Sequence, residues 1–401
     1  MIEAAGRGDT AEMFRWFNVP TRQYPWSWSV TRDAARNGHT ETMLAAREHG
    51  CPWSKFTTLA AAMDGHTETM LAAVQHKCRW SKDTTAYAAL GGHTDTMLAA
   101  VQHGCRWSKD TTAYAALGGH TDTMLPAVQH GCRWSEKTTA DAAVNGHTDT
   151  MLAAVEHGCP WSMHTTRIAA GNGHTETMLA AVKHGCTWDP DTMGCAASDG
   201  HTETMLAAVD HGCEWSDMTT EMAAKYGQTQ FMLVAVDRGC PWSGWETGFA
   251  AKYGQTQTML AAVEHGCPWL QHTTALAAKY GQTETMLAAV DHGCPWAYTT
   301  VQSATDGGYI HTLLAAIRHG AEIPVTHRRH MLALLHIMFF LSNWMFRTPH
   351  GRLRDIAFRK IVRQIRAGER SFHKTLPMVD VGTGDRLMTI FRPRLRKKRR
   401  I

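Results

Sequence analysis

Long apolar runs are scarce in this chain. Met331 to Phe346 is 16 residues long and is interrupted by His336, Ser342 and Asn343, short of the roughly 20 that a membrane-crossing helix needs. A helix capping the end of the preceding region is the expectation there. The N-terminus shows no basic stretch followed by an apolar run, so no signal peptide is expected. The expected location is intracellular, in cytoplasm or nucleus, and not secreted. Strong net charge is also missing: 40 Lys and Arg against 36 Asp and Glu leave +4. That balance hides an asymmetry, because residues 347 to 401 carry 17 Lys or Arg against 4 Asp or Glu. Their net of +13 leaves residues 1 to 346 at −9. No nucleophile, base and orienting residue stand out together. Gly382-Thr383-Gly384 lacks the Lys-Ser/Thr of a phosphate loop and reads as a hairpin turn. No enzyme activity, cofactor or small-molecule substrate is expected.

What the chain has in abundance is repetition. Cys51, Cys78, Cys105 and every 27th residue to Cys294 account for ten of the eleven cysteines. Trp53 to Trp296 and Gly38 to Gly308 keep the same step. A fixed period shared by three residue types marks a repeat architecture. In the unit Ser81 to Trp107, Asp83, Thr84 and Thr85 suit a helix N-terminus, and Ala86 to Leu90 continue it until Gly91 and Gly92. Thr94 is then expected to cap a second helix, with Asp95 in its first turn and Met97, Leu98 and Val101 as its apolar stripe. Gly104 stops it. Neither helix is long enough to be stable alone, since isolated helices below about 12 to 15 residues are marginal. Stacking must supply the stability, as in a solenoid. Twelve units are expected over residues 1 to 323. The first has little of its first helix and an insertion around Asn18 to Tyr24, and the last has Ala321 and Ile323 in place of Cys and Trp.

The string Ala88-Ala89-Leu90-Gly91-Gly92-His93-Thr94-Asp95, with Gly104-Cys105 twelve residues beyond Gly92, resembles the frame of ankyrin repeats. The 27-residue period is shorter than that family's usual spacing, and Asp83-Thr84-Thr85-Ala86 replaces its Thr-Pro-Leu-His opening. The missing residues fall where the family places its β-turn finger. Short units with a Gly50-Cys51-Pro52-Trp53 loop resemble the expanded ankyrin families of giant DNA viruses and some protists. The resemblance implies an all-α, ankyrin-like helix-turn-helix solenoid whose first helices line a concave, partner-binding face.

Specificity is expected where the units differ. The slot of Tyr87 holds Ala60, Tyr114, Asp141, Ile168, Cys195, Met222, Phe249 and Leu276, and the slot of Lys82 holds Lys55, Lys109, Glu136, Met163 and Tyr298. An exposed apolar and aromatic row of this kind is a protein-binding candidate. In three later units Leu90-Gly91 becomes Lys225-Tyr226, Lys252-Tyr253 and Lys279-Tyr280, a distinct surface texture. Trp245 and Trp344 lie outside the Trp ladder and are free to be contacts. The expected function is non-catalytic binding of one or more partner proteins through this first-helix face.

The ladder cysteines are expected to be small buried hydrophobes. Equivalent residues roughly 10 Å apart are too distant for a disulfide or a tetrahedral zinc site. His39 to His201 give way to Gln228, Gln255 and Gln282, which points to a hydrogen-bonding role shared by both side chains. The Trp ladder is expected to be structural. Pro126 inside a second helix and Lys77 at a helix-ending glycine position are expected local weaknesses.

Beyond the repeats, residues 324 to 370 are expected to form capping and amphipathic helices. Arg352 to Arg366 reads as a basic amphipathic helix. Residues 371 to 401 are expected to be a basic, partly disordered tail. Its cluster Arg392, Arg394, Arg396, Lys397, Lys398, Arg399 and Arg400 suits nuclear import, nucleic acid or an anionic membrane, and equally a solvated tail tethered electrostatically to the acidic repeats. Binding through this segment is the alternative function.

Overall fold

The computed structural model describes residues 1–17 and 27–323. The insertion at Asn18 to Tyr24, Trp26, Trp344, the segment 324–370, and the tail 371–401 with its basic cluster lie outside the described residues. Among those described there are 24 helices and no strand, and they form an all-α solenoid of helix-turn-helix units. The chain divides into two compact bodies, Met1–Ser216 with eight helix pairs and the body beginning at Asp217 with four. Within each body, first helices pack on first helices of the next unit and second helices on second helices.

Local chemistry explains each pair. In the unit already read, the first helix is Thr84–Leu90 and the second Thr94–Gln102. Gly92 sits at φ 72° and Gly104 at φ 92°, left-handed values that favour glycine. Lys77 takes the Gly104 position at φ 69°, the single positive-φ non-glycine among the described residues. A Cβ at Gly92 would also lie 2.7 Å from His120 Nδ1. Space as well as backbone angle therefore demands glycine there.

The structure corrects two expectations and adds packing to a third. Thr94 does not cap its helix: His93 occupies that position, and Thr94 is the first helical residue. Its hydroxyl meets Thr123 Oγ1 of the next unit at 2.7 Å. The buried stripe of the second helix is Thr96, Met97 and Ala100, while Leu98 and Val101 are half-buried. Small Ala100 is what lets the helix approach the core. The His and Gln ladder, finally, packs as well as bonds. Within each body such a planar group lies under the left-handed glycine of the preceding unit, His66 under Gly38 in the first and Gln255 under Gly227 in the second. His174 Nε2 to Val144 O, at 3.1 Å, is a hydrogen bond of the expected kind.

The core of the inner units is built on alanine, methionine and cysteine; Ala88, Ala89, Met97, Ala100 and Cys105 are all buried. Threonine hydroxyls then tie the units together. On the second helices Thr40 meets Thr69 at 2.6 Å and Thr121 meets Thr150 at 2.7 Å, and in the C-terminal body Thr256 meets Thr285 at 2.6 Å. On the first helices the bonds close into rings. Ser135 N–H donates to Thr112 Oγ1 at 2.9 Å, the Thr112 hydroxyl donates to Thr138 Oγ1 at 2.9 Å, and Thr138 returns its proton to Ser135 O at 3.0 Å. Every polar atom in the ring is satisfied, as burial requires. The Trp ladder adds a third tie: Trp53 Nε1 donates to His76 O at 2.9 Å, at the end of the following unit's second helix.

Candidate binding face

The ladder thiols are all free and buried. Burial pushes Cys105 and Cys132 up to about 11 and Cys240 and Cys267 to about 12, the last two also through the charge of Glu246. The histidines one residue before the helix-ending glycines turn the other way. His130 Nδ1 bonds Pro126 O and His157 Nδ1 bonds Ala153 O, both at 2.9 Å, on their own helices. Each His-Gly-Cys triplet therefore splits its side chains between surface and core. Among the described residues no group of three or more His, Cys, Asp or Glu is placed to hold a metal. None of the described helices is long and apolar enough to cross a membrane.

The slot of Tyr87 follows the first-helix face but is less open than expected. Tyr87, Tyr114, Asp141, Ile168, Met222, Phe249 and Leu276 are all half-buried. Their repeat spacing brings neighbours into contact, as the Tyr87 and Tyr114 rings show at 5.5 Å, edge to face. Tyr114 is pushed above its ordinary pKa by burial first and by Tyr87 and nearby aspartates second. Cys195, in the same slot, is half-buried beside Gly171, and burial raises its thiol as well.

Large exposed groups stand at both ends of the first helices in the C-terminal body. Met218 is 40% and Trp245 52% exposed at the starts; Tyr226, Tyr253 and Tyr280 are 48%, 41% and 39% exposed at the ends. Along each first helix these fall at i, i+4 and i+8, a spacing that lines one helix face. The rows are Met218-Met222-Tyr226, Trp245-Phe249-Tyr253 and His272-Leu276-Tyr280. Their helices are Met218–Tyr226, Glu246–Tyr253 and Thr273–Lys279, each packed on the next. In the N-terminal body the same positions read Asp83-Tyr87-Gly91 and Asp110-Tyr114-Gly118, polar at one end and bare at the other. Trp28, Phe56 and Met163 are exposed there at first-helix starts without large apolar partners one helix length on. Tyr298 in the last unit is likewise exposed.

Trp245 is held in place by a buried carboxylate. Glu246 takes the position of a ring threonine and is fully buried. It accepts hydrogen bonds from the Thr220 hydroxyl at 2.6 Å, Ser243 N–H at 2.7 Å and Gly244 N–H at 2.9 Å. With the Cys267 thiol at 3.6 Å, four donors stand in for water around the carboxylate, and the two amide bonds pin the Ser243-Gly244-Trp245 turn, in which Gly244 takes φ 90°. Neighbouring Glu221 is pushed above the usual carboxylate range by burial, with the Ser243 hydroxyl opposing the shift and the charge of Glu246 adding to it. Sequence reasoning flagged Trp245 and the tyrosines but missed Met218 and Glu246. The i, i+4, i+8 register, read along each helix, carries the signal for Met218.

At the far edge of the face the lysines interleave with the tyrosines. Lys225 Nζ lies 4.6 Å from the Tyr226 ring centre and 5.6 Å from that of Tyr253. Lys252 lies 5.0 Å from Tyr253 and 5.1 Å from Tyr280, and Lys279 lies 5.9 Å from Tyr280. These are cation–π distances.

No family model matches this chain. No curated protein matches it either. Among solved structures, the human ASB11 ankyrin repeat domain is similar at 15% identity, over 46% of this chain and 98% of that one, with a TM-score of 0.37. The pentatricopeptide repeat protein PPR10, in complex with an 18-nt psaJ RNA element, is similar at 14% identity, over 79% of this chain and 57% of that one, with a TM-score of 0.37. PPR10 from maize is similar at 12% identity, over 93% of this chain and 63% of that one, with a TM-score of 0.31. The solenoid assignment stands on the helix pairs themselves.

Proposed function

We propose that this chain is a non-catalytic protein-binding scaffold whose recognition surface is the first-helix face of the C-terminal body. One observation carries the reading: consecutive first helices present large apolar side chains along their length, with Met218, Trp245 and the three tyrosines open to solvent. Aromatic residues and Met are enriched at the centres of protein interfaces, and Trp and Tyr dominate binding energy. Trp245 on a pinned turn costs little further ordering when it binds. The repeat ties made by threonine and tryptophan provide the rigid support such a surface needs. Ten buried free thiols suit a reducing, intracellular setting.

Photo-crosslinking in cells with a diazirine amino acid placed singly at Phe249, Tyr253, Tyr114 or Arg396 tests this. The reading expects a discrete protein adduct from positions 249 and 253. An adduct from position 114 alone would move recognition to the N-terminal body. Nucleic acid captured at position 396, with nothing at 249 or 253, would assign the function to the basic tail.

A further inference from the structure

The rim of this face carries information about its partner. In the N-terminal body the turn between the two helices leads into an exposed carboxylate in every unit from Glu41 to Glu203, at the second position of the second helix. In the C-terminal body the corresponding residues are Gln230 and Gln257 before Glu284 restores the pattern. Those replacements coincide with the arrival of Lys225 and Lys252 five residues earlier on the same turns. One edge has therefore lost negative charge where it gains positive charge. Among the described residues none of Lys225, Lys252 and Lys279 makes an ion pair with a carboxylate; the tyrosine rings hold them. At the opposite ends of these helices, the starts, exposed acid is confined to Asp217 of the first. The face therefore has a basic edge, Lys225, Lys252 and Lys279, beside an apolar centre.

We propose that the occupant of this face is an amphipathic helix of a partner protein, laid across the three first helices with carboxylates along the edge that meets Lys225, Lys252 and Lys279. The proposal rests on the protein-binding reading of the same face. Adjacent packed helices sit about 8 to 10 Å apart, and seven residues of an α-helix rise about 10.5 Å. Acidic residues seven apart on the partner therefore meet successive lysines, with large apolar residues between them reaching Met222, Phe249 and Leu276. The tyrosine rings argue against a nucleic acid. Single strands bind by stacking bases on free aromatic faces, and the Tyr253 and Tyr280 rings each already have two ammonium groups against them.

Panning a phage-displayed library of random 18-residue peptides on the full chain tests the proposal. The expected winners carry Asp or Glu at seven-residue spacing beside Leu, Phe or Trp. They should bind K225E/K252E/K279E and the milder K225Q/K252Q/K279Q at least about tenfold more weakly, with helix content of both variants unchanged by circular dichroism. Winners that need Trp245 and Phe249 but show no acidic bias, or that bind both triple variants equally, overturn this inference and leave the protein-binding face standing. Winners indifferent to W245A and F249A overturn both. A fluorescent 20-nucleotide single strand that binds the full chain and is released by K225Q/K252Q/K279Q would replace the helix with a nucleic acid.

Discussion

Thr112 shows how much of this fold rests on single hydroxyls. It accepts from Ser135 N–H and donates to Thr138, so Thr112→Val keeps the shape and strands a buried N–H. An orphaned buried donor costs about 1 to 3 kcal/mol, and urea unfolding of Thr112→Val should show a loss of that size; an unchanged midpoint would mean the ring contributes nothing. The thiols make a pH-dependent prediction. A buried thiol keeps its proton up to about 11 or 12, against an ordinary value of 9.0. Between those values the unfolded chain loses protons that the folded chain retains, so stability falls as pH rises through that window and is untouched below it. Denaturation between pH ~8 and ~11 should show the decline, and Cys105→Ala/Cys132→Ala should lessen it. Burial of the thiols is legible in their strict period and neighbours. The hydroxyl rings are not, because their partners lie 23 and 26 residues apart and meet only through the spacing between units.

Glycine stops and threonine starts make the helix pairs legible to within a residue: Thr84–Leu90 and Thr94–Gln102 sit where the local signals place them. Proline is the exception, and the preceding unit offsets it. Pro126 lies inside the helix Thr121–Gln129 and removes the N–H that would bond Asp122 O, a loss worth about 3 kcal/mol in an ordinary helix interior. The Thr94 hydroxyl of the preceding unit reaches that carbonyl at 3.3 Å. Pro126→Ala should therefore stabilise the protein by less than the ordinary figure, and by more when Thr94 is already Val. A double-mutant cycle in urea should give a coupling of about 0.5 to 1 kcal/mol; strict additivity would show that the hydroxyl does not replace the lost bond. Only a contact between units reveals this compensation, which is why the residue reads as a plain flaw in the sequence.

At the scale of the whole molecule, two bodies built from one repeat carry different surfaces. Two units of the N-terminal body set a half-buried ring between aspartate and glycine, Asp83-Tyr87-Gly91 and Asp110-Tyr114-Gly118, whereas the C-terminal body runs Met218-Met222-Tyr226 and Trp245-Phe249-Tyr253. Reading down the 27-residue column isolates Tyr87, Tyr114 and Phe249 as equivalents. Reading along each helix separates them, because only four-residue spacing shows which of these side chains stand among apolar neighbours. The account places recognition on the C-terminal body, and the most direct measurement is calorimetric titration of the full chain with a peptide selected on it, comparing W245A/F249A with Y87A/Y114A. It predicts at least about tenfold weaker binding for the first pair and unchanged affinity for the second. Loss with Y87A/Y114A and retention with W245A/F249A would contradict it.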